Sequence, residues 1–170
     1  TPLPERPFPG IYSTTKNEAE KVALSFQDAG NLDVVSVRPR LIWGRDDTVF
    51  LPSMLEAAKS GVLQWFDGGE YYTSTCHVEN VVEGIVRAAV SDGHVVGGRP
   101  FFLTDGAPVQ FKWFVTELLR ANDVEPPTSS VPMRLVWYVA HAAEIYCSYF
   151  DLLGLCKDGP FVTRQALALV

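Results

Sequence analysis

The chain has 170 residues, 47% of them apolar and 20% charged, a composition that can bury a sizeable core within one domain and excludes a disordered chain. Its formal net charge is −6 and Lys and Arg form no dense run, which excludes the positive field of a nucleic-acid binder. The cysteines Cys76, Cys147 and Cys156 are odd in number and lack metal-type spacing, so they read as buried or free thiols in a reducing, cytoplasmic compartment.

Residues 1–10, TPLPERPFPG, carry neither a basic n-region nor an apolar h-region, and their prolines suit a loop delivering the chain to a helix rather than a targeting peptide. The helix is predicted over residues 11–26, IYSTTKNEAEKVALSF, with Ala19, Val22, Ala23 and Phe26 at helical spacing as a core-facing stripe and Gly30 as its left-handed stop. It sets Tyr12 and Lys16 one turn apart on one face. A cation held beside a phenol favours the ionised form, so Tyr12 could exchange a proton with a substrate hydroxyl, and the donors of Lys16 could hold a ribose diol. By itself this spacing is more often a surface pair on an amphipathic helix.

The β-branched run at 34–37 predicts a strand ending at Arg38-Pro39, since proline cannot donate to a central ladder. A strand after a helix suggests a parallel α/β unit, whose ligands lie beyond the carboxyl ends of its strands. That rule puts Arg38, Pro39, Arg40, Leu41 and Ile42 in one crevice with Tyr12. Pro52 and Gly61 bracket a helix, VLQWF at 62–66 reads as a strand, Asp67-Gly68-Gly69 as a turn, and 71–77 as a polar run rich in β-formers. Trp43, Trp65 and Tyr72 could line an apolar pocket, or equally be ordinary core or surface aromatics. His77, at a strand-to-helix junction, reads as a capping residue before it reads as a proton carrier. With His94 and His141 it is scattered outside any ligand motif, so no metal is expected.

Val78, Val81, Val82, Ile85, Val86 and Ala89 form an apolar stripe that predicts a packed helix. A buried strand is expected at 101–104, a turn at Asp105-Gly106, a helix at 111–120 and an exposed connection at 123–132. Residues 133–155 predict a helix that does not span a membrane, because Arg134, Glu144 and Asp151 interrupt it. Its apolarity suits packing within a longer protein first, and a membrane-surface patch or a homodimer interface after that.

Tyr12-x-x-x-Lys16, then VVSVRPRLIWG, then TSTCHVENVVEGIVRAA, resemble in order and spacing the extended short-chain dehydrogenase/reductase superfamily, nearest to the 3β-hydroxysteroid dehydrogenase/isomerase-like branch. The resemblance covers essentially the whole chain. It implies an α/β fold: the carboxyl half of an extended Rossmann-type domain, a doubly wound parallel sheet, over about 1–45 and 78–105. The small substrate-binding subdomain would be interleaved over about 46–77 and 106–170. It implies Tyr12 as acid/base, Lys16 at the nicotinamide ribose, and Pro39 and Leu41 against the nicotinamide end of NAD or NADP. It implies oxidoreduction of a secondary alcohol, steroid-like or otherwise apolar, or alternatively nucleotide-sugar epimerase/dehydratase chemistry or a non-catalytic dinucleotide-sensing module. The family's Gly-rich loop has no counterpart in these residues and its catalytic Ser or Thr would precede Thr1, so this segment alone is expected to be inactive.

Overall fold

The computed structural model describes residues 11–27, 29 and 31–152, with side chains from 12 to 142. The proline-rich 1–10 loop, the Gly30 stop and Cys147 and Cys156 lie outside the described residues or side chains. Two compact units emerge, residues 1–63 with 70–126, and residues 64–69 with 127–170.

In the first unit, α1 (Ile11–Leu24) leads into β1 (Ser36–Pro39), which after a break at Arg40 continues as β2 (Leu41–Trp43). The chain then forms α2 (Phe50–Lys59), β4 (Tyr72–Thr73), β5 (Thr75–His77), α3 (Val78–Val90), the short α4 (Gly93–Val96), β6 (Pro100–Leu103), β7 (Val109–Gln110) and α5 (Phe111–Arg120). β1 pairs parallel with β6, β2 pairs parallel with β5, and β4 pairs antiparallel with β7. The break at Arg40 is thus where one run of extended chain changes partner. The strand sits two residues later than the β-branched run suggests and includes Pro39. Ser36 and Arg40 donate to Arg99 and Leu103 carbonyls, so the absent N–H of Pro39 falls on the edge away from β6, where that pairing does not need it.

The core of this unit joins Cys76 of β5, Val81 of α3 and Phe114, Val115 and Leu119 of α5. Asp47 caps α2, its carboxylate accepting from the N–H groups of Val49, Phe50 and Leu51, which starts that helix ahead of the Pro52 signal. Gly61, at φ 72°, ends it in the left-handed region as its sequence position predicted. The two apolar stripes fare differently from the expectation. On α3, Val81 is buried and Gly84 lets the helix approach Leu103 closely, but Val82, Ile85 and Val86 are exposed. On α1 the faces are reversed: Val22 and Phe26 are exposed, while Ser13, Asn17, Glu20 and Leu24 are half-buried. Nor is the 101–104 strand buried, with Phe101 and Phe102 at 37% and 52% exposure. Among the described residues the outward faces of α1 and α3 have no covering layer, which leaves wide apolar stripes half open.

In the second unit, β3 (Trp65–Phe66) pairs parallel with β8 (Ser130–Val131), and α6 runs from Met133 to Leu152. The predicted 62–66 strand is therefore shorter, and the 123–132 connection carries a strand at its end. Asp67, Gly68 and Gly69, all at positive φ, make the expected turn. Among the described residues no helix is long and apolar enough to cross a membrane.

Candidate active site

Tyr12 and Lys16 share one side of α1, the ammonium lying 5.8 Å from the centre of the phenol ring. Tyr12 is 60% exposed, so its hydroxyl is open to an incoming molecule. Pro39 closes β1 opposite Leu103, and Leu41 opens β2 opposite Thr75, at the end of the parallel ladder where α/β folds bind ligands. Arg40 and Ile42 are exposed beside them, whereas Arg38 is largely withdrawn.

Arg38 is committed to Glu20 of α1. Its Nε donates to Oε1 at 2.8 Å and its Nη2 to Oε2 at 2.7 Å, a two-pronged pair that the Ser36 hydroxyl joins by donating to Oε1. The bond from Arg38, against a smaller opposing effect of burial, holds the Glu20 carboxyl below the usual carboxylate range, and the same bond raises Arg38. The guanidinium also lies over the Phe102 ring at 5.2 Å.

Beyond the ladder end, Asp105 ties three elements together. Its carboxylate accepts from the Trp43 indole N–H at 2.7 Å, the Thr75 hydroxyl at 2.8 Å, the His77 backbone N–H at 2.6 Å and the Asn80 amide at 2.7 Å. Burial alone would raise this carboxyl, but the four donors prevail and bring it down to about 2. A carboxylate so saturated is an anchor. His77 is the cap that its position predicted: its Nδ1 accepts from the Glu79 N–H at 3.3 Å, at the start of α3. Trp43 packs edge-on to His77 and Phe114, Trp65 is buried with its N–H given to the Pro127 carbonyl, and Tyr72 is exposed. Trp65 is thus an ordinary core aromatic, while Trp43 is half-buried and Tyr72 stands on the surface. Among the described residues no cluster of His, Cys, Asp or Glu could hold a metal ion.

Sequence reasoning missed Glu20 and Asp105 as organising residues. Glu20 four residues after Lys16 was a readable signal, being one turn further along the same helix. Asp105 had none, because its donors come from positions up to 62 residues away.

A tyrosine and a lysine paired on a helix, followed by a parallel strand whose end carries the remaining candidates, form the arrangement that the resemblance to extended short-chain dehydrogenases/reductases implied. The sequence profile described as the 3-beta hydroxysteroid dehydrogenase/isomerase family matches residues 2–133, and the chain belongs to that family. It is 46% identical over 143 residues to 4-hydroxy-2-methyl-3-oxo-4-farnesyl-3,4-dihydroquinoline-1-oxide ketoreductase of Stigmatella aurantiaca, an alignment covering 84% of this chain and 41% of that protein. It is 33% identical to 3beta-hydroxysteroid-dehydrogenase/decarboxylase isoform 1 of Arabidopsis thaliana, over 84% of this chain and 34% of that one. The chain thus spans less than half the length of either relative. Among solved structures it resembles gox2253, with a TM-score of 0.66 and 26% identity over 99% of this chain and 48% of the other. It shares its fold with the Bordetella bronchiseptica enzyme WbmF in complex with NAD+, at a TM-score of 0.58 and 17% identity over 76% of this chain and 43% of that one.

Proposed function

We propose that this chain is the carboxyl part of an NAD(P)-dependent oxidoreductase that interconverts a secondary alcohol and a ketone on an apolar, ring-bearing substrate. The observation that carries the reading is the Tyr12–Lys16 pair, with the ammonium 5.8 Å from the phenol ring and the hydroxyl open, in a chain of this family. The donor set fits the nicotinamide end of the cofactor: Lys16 has three N–H donors for a ribose diol, and Pro39 and Leu41 offer apolar surface at a strand end. No Gly-rich loop within these residues would hold the pyrophosphate, so that end is assigned to the part of the polypeptide not contained in this chain.

A bound NAD(P)H would supply the hydride that reduces the substrate carbonyl carbon. Tyr12 gives its phenolic proton to the carbonyl oxygen as the alcohol forms, and recovers it from the alcohol in the reverse direction. Lys16 stabilises the phenolate left behind and fixes the ribose, so that binding and proton transfer share one residue. The relatives' printed names support a ketone or sterol alcohol as the substrate class. Nucleotide-sugar chemistry rests on likeness of fold alone, to solved structures such as MoeE5 in complex with UDP-glucuronic acid and NAD, and stands second. Residues 1–45 and 78–105 are assigned to the dinucleotide part and 46–77 with 106–170 to substrate binding; the pairing of β1 with β6 lies inside the former, whereas β2 pairs across this division with β5 and the two compact units divide the chain elsewhere.

Tyr12→Phe in the full-length protein is expected to abolish turnover of a ketone while leaving NAD(P)H affinity within a few-fold, measured by nicotinamide fluorescence and absorbance. Undiminished turnover would overturn the assignment of Tyr12.

A further inference from the structure

We infer that Glu20 is a positioning residue, whose carboxylate, gripped by Arg38 and Ser36 of β1, sets the rotation of α1 and thereby the direction in which Tyr12 and Lys16 face the Pro39–Leu41 segment. The inference rests on the proposed oxidoreductase reading and extends it to a residue outside the reacting groups.

The argument begins with the reversed faces of α1. The side of this helix that meets β1 presents Ser13, Asn17, Glu20 and Leu24, while Ala19, Val22, Ala23 and Phe26 point outward. Apolar interdigitation, which normally fixes a helix on a sheet, has little to work with on such a face. Directional hydrogen bonds therefore carry the registration.

Two points of attachment, seven residues apart, supply it. Near the middle, Glu20 takes both prongs of Arg38 and the Ser36 hydroxyl, with the Glu20 and Arg38 side chains only 13% and 19% exposed. Just past the end of α1, the Gln27 carbonyl oxygen accepts from the Val34 N–H at 2.8 Å, and its amide donates to Asp33 at 3.0 Å. Arg38 itself lies over the Phe102 ring of β6, 5.2 Å from its centre. One attachment would leave the helix free to swivel; the second, between the turn after α1 and the residues leading into β1, restrains it.

Glu20 also lies one and two turns beyond Lys16 and Tyr12, so it acts on the part of the helix that bears them. With backbone Cα atoms about 2.3 Å from a helix axis and a phenol oxygen roughly 8 Å from it, a rotation of about 10° shifts that oxygen by about 1.5 Å. Displacements near 1 Å in proton- or hydride-transfer geometry cost on the order of 100-fold in rate. The Pro39–Leu41 segment continues directly from Arg38, so one ion pair joins the helix of the proposed acid/base to the strand end assigned to the nicotinamide.

The test uses the full-length protein with NADH or NADPH and whichever of a 3-ketosteroid or an alkyl-substituted cyclic ketone the wild type reduces. Glu20→Gln keeps the side-chain shape but turns an N–H donor towards Arg38. It is expected to lower kcat by about 10- to 100-fold, to leave the KM for the dinucleotide within about 3-fold, and to raise the isotope effect on kcat with the 4-deuterated dinucleotide. Arg38→Lys, which keeps the charge but loses the fork, is expected to do the same and serves if Glu20→Gln does not fold. Val115→Ala, in the fully buried core, is the control: assayed below its unfolding temperature it should keep kcat within about 3-fold while losing more stability. An unchanged kcat in both Glu20→Gln and Arg38→Lys overturns the inference. So does an equal loss of kcat in Val115→Ala at matched fraction folded, which would mean that Glu20 acts through stability alone. If the wild type reduces no ketone with either dinucleotide, the oxidoreductase reading itself fails and the role of Glu20 falls with it.

Discussion

Asp105 accepts four hydrogen bonds from groups on β2, β5 and the first turn of α3, and its own N–H donates to the Thr75 carbonyl. Its carboxyl is brought from 3.8 to about 2 by those donors against the opposing effect of burial, so the stability it contributes is present above about 4 and lost as the pH falls through about 2. Urea midpoints taken between pH 5 and 2 should therefore decline with acid in the wild type, and Asp105→Asn should flatten that decline. Asp105→Ala should cost about 1–2 kcal/mol at neutral pH by leaving its donors, the buried Thr75 hydroxyl among them, without their acceptor. Tyr71 shows the opposite sign. Burial pushes its phenol from 10.0 up to about 12, stacked on Phe111 with ring centres 5.0 Å apart. That stability holds below about 10 and disappears as the pH rises through about 12. Tyr71→Phe keeps the stack, and its urea midpoint should fall less between pH 9 and 11.5 than that of the wild type.

At the scale of the element, α3 was the plainest segment to read, and its limits match the apolar run to within one residue. The periodicity identified the helix but not how much of its stripe is covered. Val78, Val81, Gly84 and Ala88 turn inward, while Val82, Ile85 and Val86 stay exposed beside the Glu83–Arg87 ion pair. Val86→Lys should accordingly change the stability of this chain by less than about 0.5 kcal/mol, whereas Val81→Ala should cost about 1–2 kcal/mol, both read from urea unfolding. A large loss in Val86→Lys would mean that the outer half of the stripe is packed after all. The reversed faces of α1 carry the same lesson more sharply, since four apolar residues at helical spacing lie on the side that this chain leaves open. A hydrophobic stripe says that a face will be buried somewhere, and the partner decides where.

On the scale of the whole molecule, the chain holds the proposed proton-transfer pair and the Pro39–Leu41 strand end, but spans 41% of the length of its Stigmatella aurantiaca relative. Backbone donors for a pyrophosphate ordinarily come from a Gly-rich turn at a helix N-terminus, and none lies in these 170 residues. Titration of this chain with NADH and NADPH, followed by nicotinamide fluorescence, is therefore expected to show binding at least about 100-fold weaker than in the full-length protein. Equal affinity in the two would relocate the pyrophosphate site into this chain.

The sequence by itself determined what is local: the helix that sets Tyr12 and Lys16 a turn apart, the turns at Asp67-Gly68-Gly69 and Gly61, the cap at His77, and the order of motifs that marks the family. Each of these is written within a few residues, by helical repeat, by tolerance of positive φ or by capping chemistry. Tertiary structure alone decided which face of α1 turns inward, how far β6 is covered, and that Glu20 meets Arg38 and Asp105 meets Trp43. Those contacts join residues 18 and 62 positions apart, and no local propensity encodes which donor will arrive at a given carboxylate once the strands have chosen their partners.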